Sequence, residues 1–206
     1  MVILVLNCGS SSIKYQLFNM GEDEESLMAK GIIERIGFTD AVISHKPTGK
    51  DKYKEIKPIM DHTAGINLVM AALVNEVHGV IKKIEEIAAV GHRVVQGGEK
   101  YLESVLITKE VIQDIEACVD LAPLHNPANL KGIISVDHLL PGIPQIAVFD
   151  TSFHQSMPPH AFMYAIPREY YEKYGVRKYG YHGTSHKYVY KRTSQILGKD
   201  LSLIHI

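Results

Sequence analysis

The N-terminal segment LNCGSSSIKYQLF, from Leu6 to Phe18, places two strand-like runs on either side of a short turn. Residues 2–6 form a continuous apolar run, which is typical of a buried strand, and residues 13–18 alternate loosely between apolar and polar side chains. Residues 7–12 between them are rich in serine and include a glycine, as tight turns are. The segment therefore predicts an antiparallel hairpin at the start of the chain.

The turn of this hairpin has the residue types of a phosphate-binding loop. Asn7, Ser10, Ser11, Ser12 and Lys14 supply amide, hydroxyl and ammonium groups, and a tight turn exposes backbone N–H groups to an anion. The spacing matches neither the Walker A pattern Gly-x-x-x-x-Gly-Lys-Ser/Thr nor the dinucleotide pattern Gly-x-Gly-x-x-Gly. By themselves these residues support a phosphate site and a plain hairpin turn equally.

Further strands are predicted where apolar runs are bounded by polar residues. They cover residues 28–36, 87–95 and 145–149. Residues 37–60 are polar and rich in lysine and glycine, which predicts a variable hairpin or loop.

Helices are predicted where apolar positions recur at helical spacing after a capping residue. They cover residues 62–80 after Asp61, residues 109–119 after Thr108, residues 126–140 with Asn126 as cap and Pro127 at the first helical position, and residues 186–197 after Thr184 or Ser185. The order of strands and helices predicts a mixed α/β layer.

Composition and charge argue against a nucleic-acid-binding or membrane protein. The net charge of -1 gives no bulk attraction to nucleic acid or to an anionic membrane, and the apolar runs fall short of the ~20 residues of a membrane span. The two cysteines, Cys8 and Cys118, do not indicate a disulfide framework. We expect a cytoplasmic protein without a nucleic-acid or membrane partner.

Two charged residues, Arg93 and Asp150, lie within or directly after predicted buried strands. Arg93, in GHRVVQGGE, interrupts an apolar strand, so it pairs with a carboxylate in the core or binds an anionic substrate. Asp150, in VFDTSFH, follows a buried strand at the point where open α/β sheets bind ligands, although a lone aspartate there also caps turns.

Residues 151–183 are crowded with tyrosine, histidine, proline and glycine, which predicts a loop region that carries a site. His182 and His186 are four residues apart, but no third ligand stands at a recognisable zinc spacing. His125, in APLHN, flanks a predicted helix and is either structural or part of a site.

Five separated motifs together resemble the acetate kinase family: LVLNCGSSSIK, GHRVVQGGE, APLHNPANL, VFDTSFHQSMP and YGYHGTSHKYV. The family belongs to the superfamily of acetate and sugar kinases, heat-shock chaperone ATPases and actin. The resemblance covers residues 1–200 and implies an α/β, ribonuclease-H-like (actin-type ATPase) domain over residues 1–150. Residues 151–200 would begin a second, nucleotide-binding domain of the same type, whose remaining parts lie beyond this sequence.

The resemblance also implies an activity and its cofactors. The family transfers a phosphoryl group reversibly from ATP to acetate, giving ADP and acetyl phosphate, with Mg2+ or Mn2+, and its members are homodimers. Asn7 would help to hold the metal, and Lys14 with Ser10, Ser11 and Ser12 would face the nucleotide phosphates.

On the acyl side, the resemblance assigns Arg93 to the carboxylate or acyl phosphate, Asp150 to acid–base chemistry and His182 to the transferring phosphoryl group, with His125 close by. Val95, Leu124 and Tyr181 would line the pocket for the substrate methyl group. Carboxylic acids titrate near pH ~4, so acetate arrives ionised and needs no general base. An orienting role for Asp150 toward Arg93 or the metal is therefore the better physical expectation.

The last six residues, LSLIHI, do not continue the pattern. One set of codons for them matches a transposon end used as a sequencing adapter, which predicts that residues 201–206 are a non-native tail and that the chain is a truncated, inactive fragment. Two alternatives stay open: a kinase for propionate or butyrate, and a non-catalytic anion-binding fragment.

Overall fold

Eight strands form one mixed sheet in the computed structural model, which describes residues 1–21 and 25–200. The strands are β1 (Val2–Cys8), β2 (Ser12–Met20), β3 (Glu25–Glu34), β4 (Phe38–Pro47), β5 (Tyr53–Ile59), β6 (Ile87–Val94), β7 (Val105–Leu106) and β8 (Gln145–Phe149). Their order across the sheet is β5-β4-β3-β2-β1-β6-β8-β7. The predicted tail, residues 201–206, lies outside the described residues.

The predicted N-terminal hairpin is confirmed. β1 and β2 are antiparallel neighbours, with Asn7 opposite Lys14 and Cys8 opposite Ile13. The turn closes where the backbone N–H of Gly9 donates to the carbonyl of Ser12 at 2.8 Å. Asn7 and Lys14 therefore lie side by side at the end of the hairpin.

The centre of the sheet is parallel. β1 pairs with β6 and β6 pairs with β8 in parallel, whereas β7 runs antiparallel at the edge. Because parallel strands end at the same edge of a sheet, the carboxyl ends of β1, β6 and β8 meet. The predicted α/β, ribonuclease-H-like class is confirmed.

Residues 37–60 form a hairpin of two long strands, β4 and β5. The hairpin was one of two predicted alternatives for this polar segment. Its inward side chains, Ala41 and Ile43, are fully buried and extend the core, while Lys46 and Lys54 are exposed. The alternation of a sheet with one covered face explains why the segment looks polar overall.

The described residues also form six helices. They are α1 (His62–Leu73), α2 (Lys109–Ala117), α3 (Asn126–Leu139), α4 (Pro159–Phe162), α5 (Glu169–Tyr174) and α6 (Gly183–Leu197). α1 packs on β2 and β5, α3 packs on β1 and β6, and the two helices contact each other. Leu6, Ile13, Ile66, Leu73 and Val136 are buried in the resulting core.

The prediction that α1 reaches residue 80 is wrong. The helix ends at Leu73, because the side-chain oxygen of Asn75 accepts hydrogen bonds from the backbone N–H groups of Val77 (2.9 Å) and His78 (3.2 Å). Asparagine competes with the helix in this way, and Val77 is consequently 80% exposed.

Two predicted helix starts are also corrected. His125 precedes α3 as its cap residue, and Asn126 is the first helical residue with a buried side chain that bonds elsewhere. α6 begins at Gly183, before the predicted Thr184 or Ser185.

None of the helices in residues 1–21 and 25–200 combines the length and the apolar character that crossing a membrane requires. Cys8 and Cys118 are free thiols, and burial raises the pKa of Cys8 to about 12.

Candidate active site

Arg93 forms a two-pronged ion pair with Asp150 across two strand ends. Arg93 lies near the end of β6 and Asp150 directly follows β8. Nε of Arg93 donates to Oδ1 of Asp150 at 3.1 Å, and Nη2 donates to Oδ2 at 2.6 Å. The carboxylate is 6% exposed, while the arginine side chain is 32% exposed. The guanidinium is thus paired on one side and still accessible to an anion on the other.

Two further side chains meet this pair. Nη1 of Arg93 donates to Oδ1 of Asn7 at 3.3 Å, and Nη2 lies 3.3 Å from Nδ1 of His182. That histidine nitrogen also lies 3.5 Å from Oδ2 of Asp150. We call Asn7, Arg93, Asp150 and His182 the Arg93 cluster. The structure brings these four residues together from four separate motifs.

His182 has a left-handed backbone, with φ of 56°. Such a conformation is uncommon outside glycine and persists where the surroundings enforce it. Here the backbone N–H of Gly183 donates to the carbonyl of Asp150 at 3.0 Å. A side chain on Gly183 would place its Cβ 2.5 Å from Cβ of Phe153, so only glycine lets α6 start this close to β8.

A large cleft of about 1290 Å³ opens on one side of the Arg93 cluster. It runs over the sheet face opposite α1 and α3. Four lysines line it: Lys14, Lys30, Lys46 and Lys52. Among the described residues that line the cleft, Asp150 is the acidic one, and Arg93 already neutralises it. The cleft is therefore suited to a polyanion.

A smaller cavity of about 440 Å³ also borders the Arg93 cluster. Val95, Leu124, His125 and Tyr181 line it, together with Arg93, Asp150 and His182. Burial raises the pKa of Tyr181, so its hydroxyl remains protonated at neutral pH. An apolar cavity with a cation at its base suits a small anion with an alkyl group.

The three serines of the turn lie outside both cavities, unlike the other predicted site residues. Ser10 and Ser11 are exposed, Ser12 begins β2, and none of the three lines either cavity. Lys14 lies in the cleft beside Asn7. The turn is thus adjacent to the cleft, and its contact with a phosphate stays a prediction.

No group of three or more His, Cys, Asp or Glu side chains in residues 1–21 and 25–200 is arranged to hold a metal ion. His186 is exposed, and its ring faces His154 at 6.2 Å between centroids. The cluster does offer oxygen atoms from Asn7 and Asp150. Mg2+ favours such a sparse oxygen set when phosphates and water complete its shell.

Three buried amides support the site: sequence reasoning missed Gln96 and Asn129 and interpreted Asn126 only as a helix cap. Asn126 accepts from the backbone N–H of Gln96 at 3.1 Å and donates to its carbonyl at 3.0 Å. Gln96 donates from Nε2 to the hydroxyl of Tyr181 at 3.1 Å. Asn129 bonds the ends of β1 and β6. The signal for Asn126 and Asn129 was their pairing in HNPAN, at the start of a helix whose first turns are buried.

Known proteins are similar to this chain in both sequence and structure. The chain is 57% identical over 199 residues to an acetate kinase of Desulfitobacterium hafniense, covering 97% of this chain and 49% of that protein. It is 54% identical over 206 residues to acetate kinase 2 of Clostridium perfringens, covering 100% and 51%.

Solved structures give the same result. A crystal structure of Porphyromonas gingivalis acetate kinase matches with a TM-score of 0.88 and 48% identity, covering 97% of this chain and 49% of that one. A propionate kinase from Francisella tularensis matches with a TM-score of 0.86 and 40% identity, covering 98% and 50%. The chain spans about half the length of the relatives that it matches. Because the acetokinase family model also matches residues 2–206, the chain belongs to the acetokinase family.

Proposed function

We propose that this chain is the N-terminal half of an acetate kinase, which transfers a phosphoryl group reversibly between ATP and acetate. The observation that carries the proposal is the position of Arg93. Its guanidinium lies between the lysine-lined cleft and the small apolar cavity and is held by Asp150 and Asn7. A group transferred between ligands in the two spaces would pass this cation.

The cleft side would bind the nucleotide phosphates. Lys14 supplies positive charge, and the turn with Ser10, Ser11 and Ser12 supplies hydroxyl and backbone donors. Asn7, with Asp150 near it, would hold Mg2+ through an oxygen atom, and the metal would offset phosphate charge when bound. This support rests on the residue types and on the place of Asn7 and Lys14 in the cleft.

The smaller cavity would bind acetate. Val95, Leu124 and Tyr181 would surround the methyl group, while Arg93 binds the carboxylate. His125 would complete the wall of this pocket. Val95 lines this cavity, and it is the side chain that we expect to set the limit on acyl-chain length.

Phosphoryl transfer depends on positioning and positive charge more than on proton transfer. Arg93 and His182 would stabilise the charge on the transferring group. Acetate is ionised at neutral pH, so no base is required to activate it. Asp150, whose two oxygens both accept from Arg93, would hold that guanidinium in place.

Residues 1–150 would form the first domain and residues 151–200 the start of a second one, with residues 201–206 as a non-native tail. The rest of the nucleotide site would then lie on the missing half. We propose that the 206-residue chain alone is inactive and that the full-length parent is a cytoplasmic homodimer without nucleic-acid or membrane partners.

A propionate kinase is the second candidate. The propionate kinase of Francisella tularensis superposes with a TM-score of 0.86, close to the value for the Porphyromonas acetate kinase. Val95 favours acetate, since a smaller residue at this position would leave room for a longer acyl chain.

Acyl phosphate formation, trapped as the hydroxamate, tests these proposals. The full-length parent should turn over acetate faster than propionate or butyrate, and the purified 206-residue chain should give no product. Equal or faster turnover of propionate would favour the second candidate. Product from the 206-residue chain, free of host kinase, would refute its inactivity and the non-native tail.

A further inference from the structure

β1 and β6 stop pairing just before the residues that form the site. The last partners in their parallel ladder are Leu6 and His92. Asn7 and Arg93 are the next residue on each strand, one position beyond the last paired residues. Their own contact is 3.3 Å between Oδ1 and Nη1, which is near the upper limit for a hydrogen bond.

The side chain of Asn129 connects the two strands beyond this point. Its Nδ2 donates to the carbonyl of Cys8 at 2.7 Å, and its Oδ1 accepts from the backbone N–H of Val95 at 3.0 Å. Asn129 is 2% exposed, so both bonds are shielded from water. One carboxamide thus satisfies one buried backbone group on each strand.

The helix that carries Asn129 is held close to β1. At Gly132, one turn further along α3, an added Cβ would lie 2.6 Å from Sγ of Cys8. The helix face is therefore in close contact with the strand end, and the carboxamide of Asn129 is placed by a rigid element instead of a loop.

We propose that Asn129 is a positioning residue, which fixes the spacing of Asn7 and Arg93 and so aligns the phosphate side of the site with the acyl side. The inference rests on the proposed kinase function. Asn129 touches neither cavity, so it acts through the strand ends that carry Asn7 and Arg93. A misplacement of about 1 Å in a reacting constellation costs on the order of 10² in rate.

The test compares three variants of the full-length parent. Asn129→Ala removes both bonds. Asn129→Asp keeps the size and the acceptor for Val95 but sets an oxygen against the carbonyl of Cys8. Ser135→Ala is the matched control, because Ser135 is buried on the same helix and its hydroxyl bonds the side chain of Thr63 at 3.0 Å, away from the site.

We expect kcat to fall on the order of 10² in both Asn129 variants, with KM for acetate and ATP within about threefold of wild type. Ser135→Ala should lower Tm and keep kcat. A folded Asn129→Asp variant with wild-type kcat would overturn the proposal. Loss of folding in both Asn129 variants, with Ser135→Ala folded, would also overturn it in favour of a purely structural role.

The crystal structure of the Asn129→Asp variant separates this inference from the proposed function. We expect Oδ1 of Asn7 and Nη1 of Arg93 to move beyond hydrogen-bond distance. An unchanged separation would overturn the positioning role whatever the activity. Inactive wild-type protein with a displaced pair in the variant would instead refute the kinase function and leave the positioning role supported.

Discussion

Replacing Asp150 by asparagine separates an orienting role from a base role. Asp150→Asn keeps the side-chain size and leaves one oxygen to accept from Nε of Arg93. It replaces the other oxygen, which accepts from Nη2 at 2.6 Å in the wild type, with an NH2 group that can only donate. A hydrogen bond between charged groups contributes about 1.5–3 kcal/mol. We therefore expect kcat/KM for acetate to fall roughly 10- to 150-fold in the full-length parent.

The hydroxamate assay should be run with Asp150→Asn, Arg93→Lys and the double variant. Because lysine lacks the planar fork, Arg93→Lys should lose a similar factor despite its positive charge. If the two side chains act as one unit, the double variant is little worse than either single variant. The pH dependence of kcat should keep its shape in Asp150→Asn.

Three results would refute the orienting role. They are a loss far beyond 10⁴-fold in Asp150→Asn, the disappearance of one limb of its pH profile, and fully additive losses in the double variant. The first two would identify Asp150 as a general base, and the third would mean that the ion pair is not the functional unit.

Three further predictions concern the acyl pocket and the core. Val95→Ala should raise the propionate-to-acetate ratio of kcat/KM about tenfold, since one methylene in an apolar pocket is worth that much; an unchanged ratio would remove Val95 from the pocket. Gln96→Leu should raise KM for acetate roughly tenfold by releasing the Tyr181 hydroxyl, whereas wild-type KM would mean that this bond does not matter. Burial lowers the pKa of His92, whose ring bonds Gln145, to about 4. Between about pH 6.5 and 4 the unfolded chain therefore binds a proton that the folded chain does not, and the free energy of unfolding should fall by about 3 kcal/mol as the pH is lowered through that range. Denaturant unfolding of His92→Gln should show a flatter pH dependence, and equal slopes would contradict this reasoning.

The elements that were predicted correctly are those with a strong local signal. The hairpin of β1 and β2 and the strand at Gln145–Phe149 have apolar runs with clear turn residues at their ends. The meeting of Arg93 and Asp150 followed from their positions near strand ends that reach the same edge of a sheet.

The errors arose where a side chain's partner lies far away or competes locally. The apolar spacing continues through Val77, but Asn75 captures two backbone N–H groups and ends α1. Asn126 looks like a cap next to Pro127, yet its amide bonds Gln96, 30 residues earlier. Local propensity cannot reveal such long-range partners, which is also why Asn129 went unnoticed.

Arg93, Asp150 and His182 line two separate cavities, and this has a consequence for the order in which ligands bind and leave. In this half of the protein, each ligand would have its own route to solvent, one over the sheet face and one past the exposed side chains of Leu124 and Tyr181. Neither ligand would have to leave before the other could enter or escape. Such a layout favours a ternary complex that forms in random order over a compulsory order of substrate binding. Each product would then compete only with the substrate that binds in the same cavity.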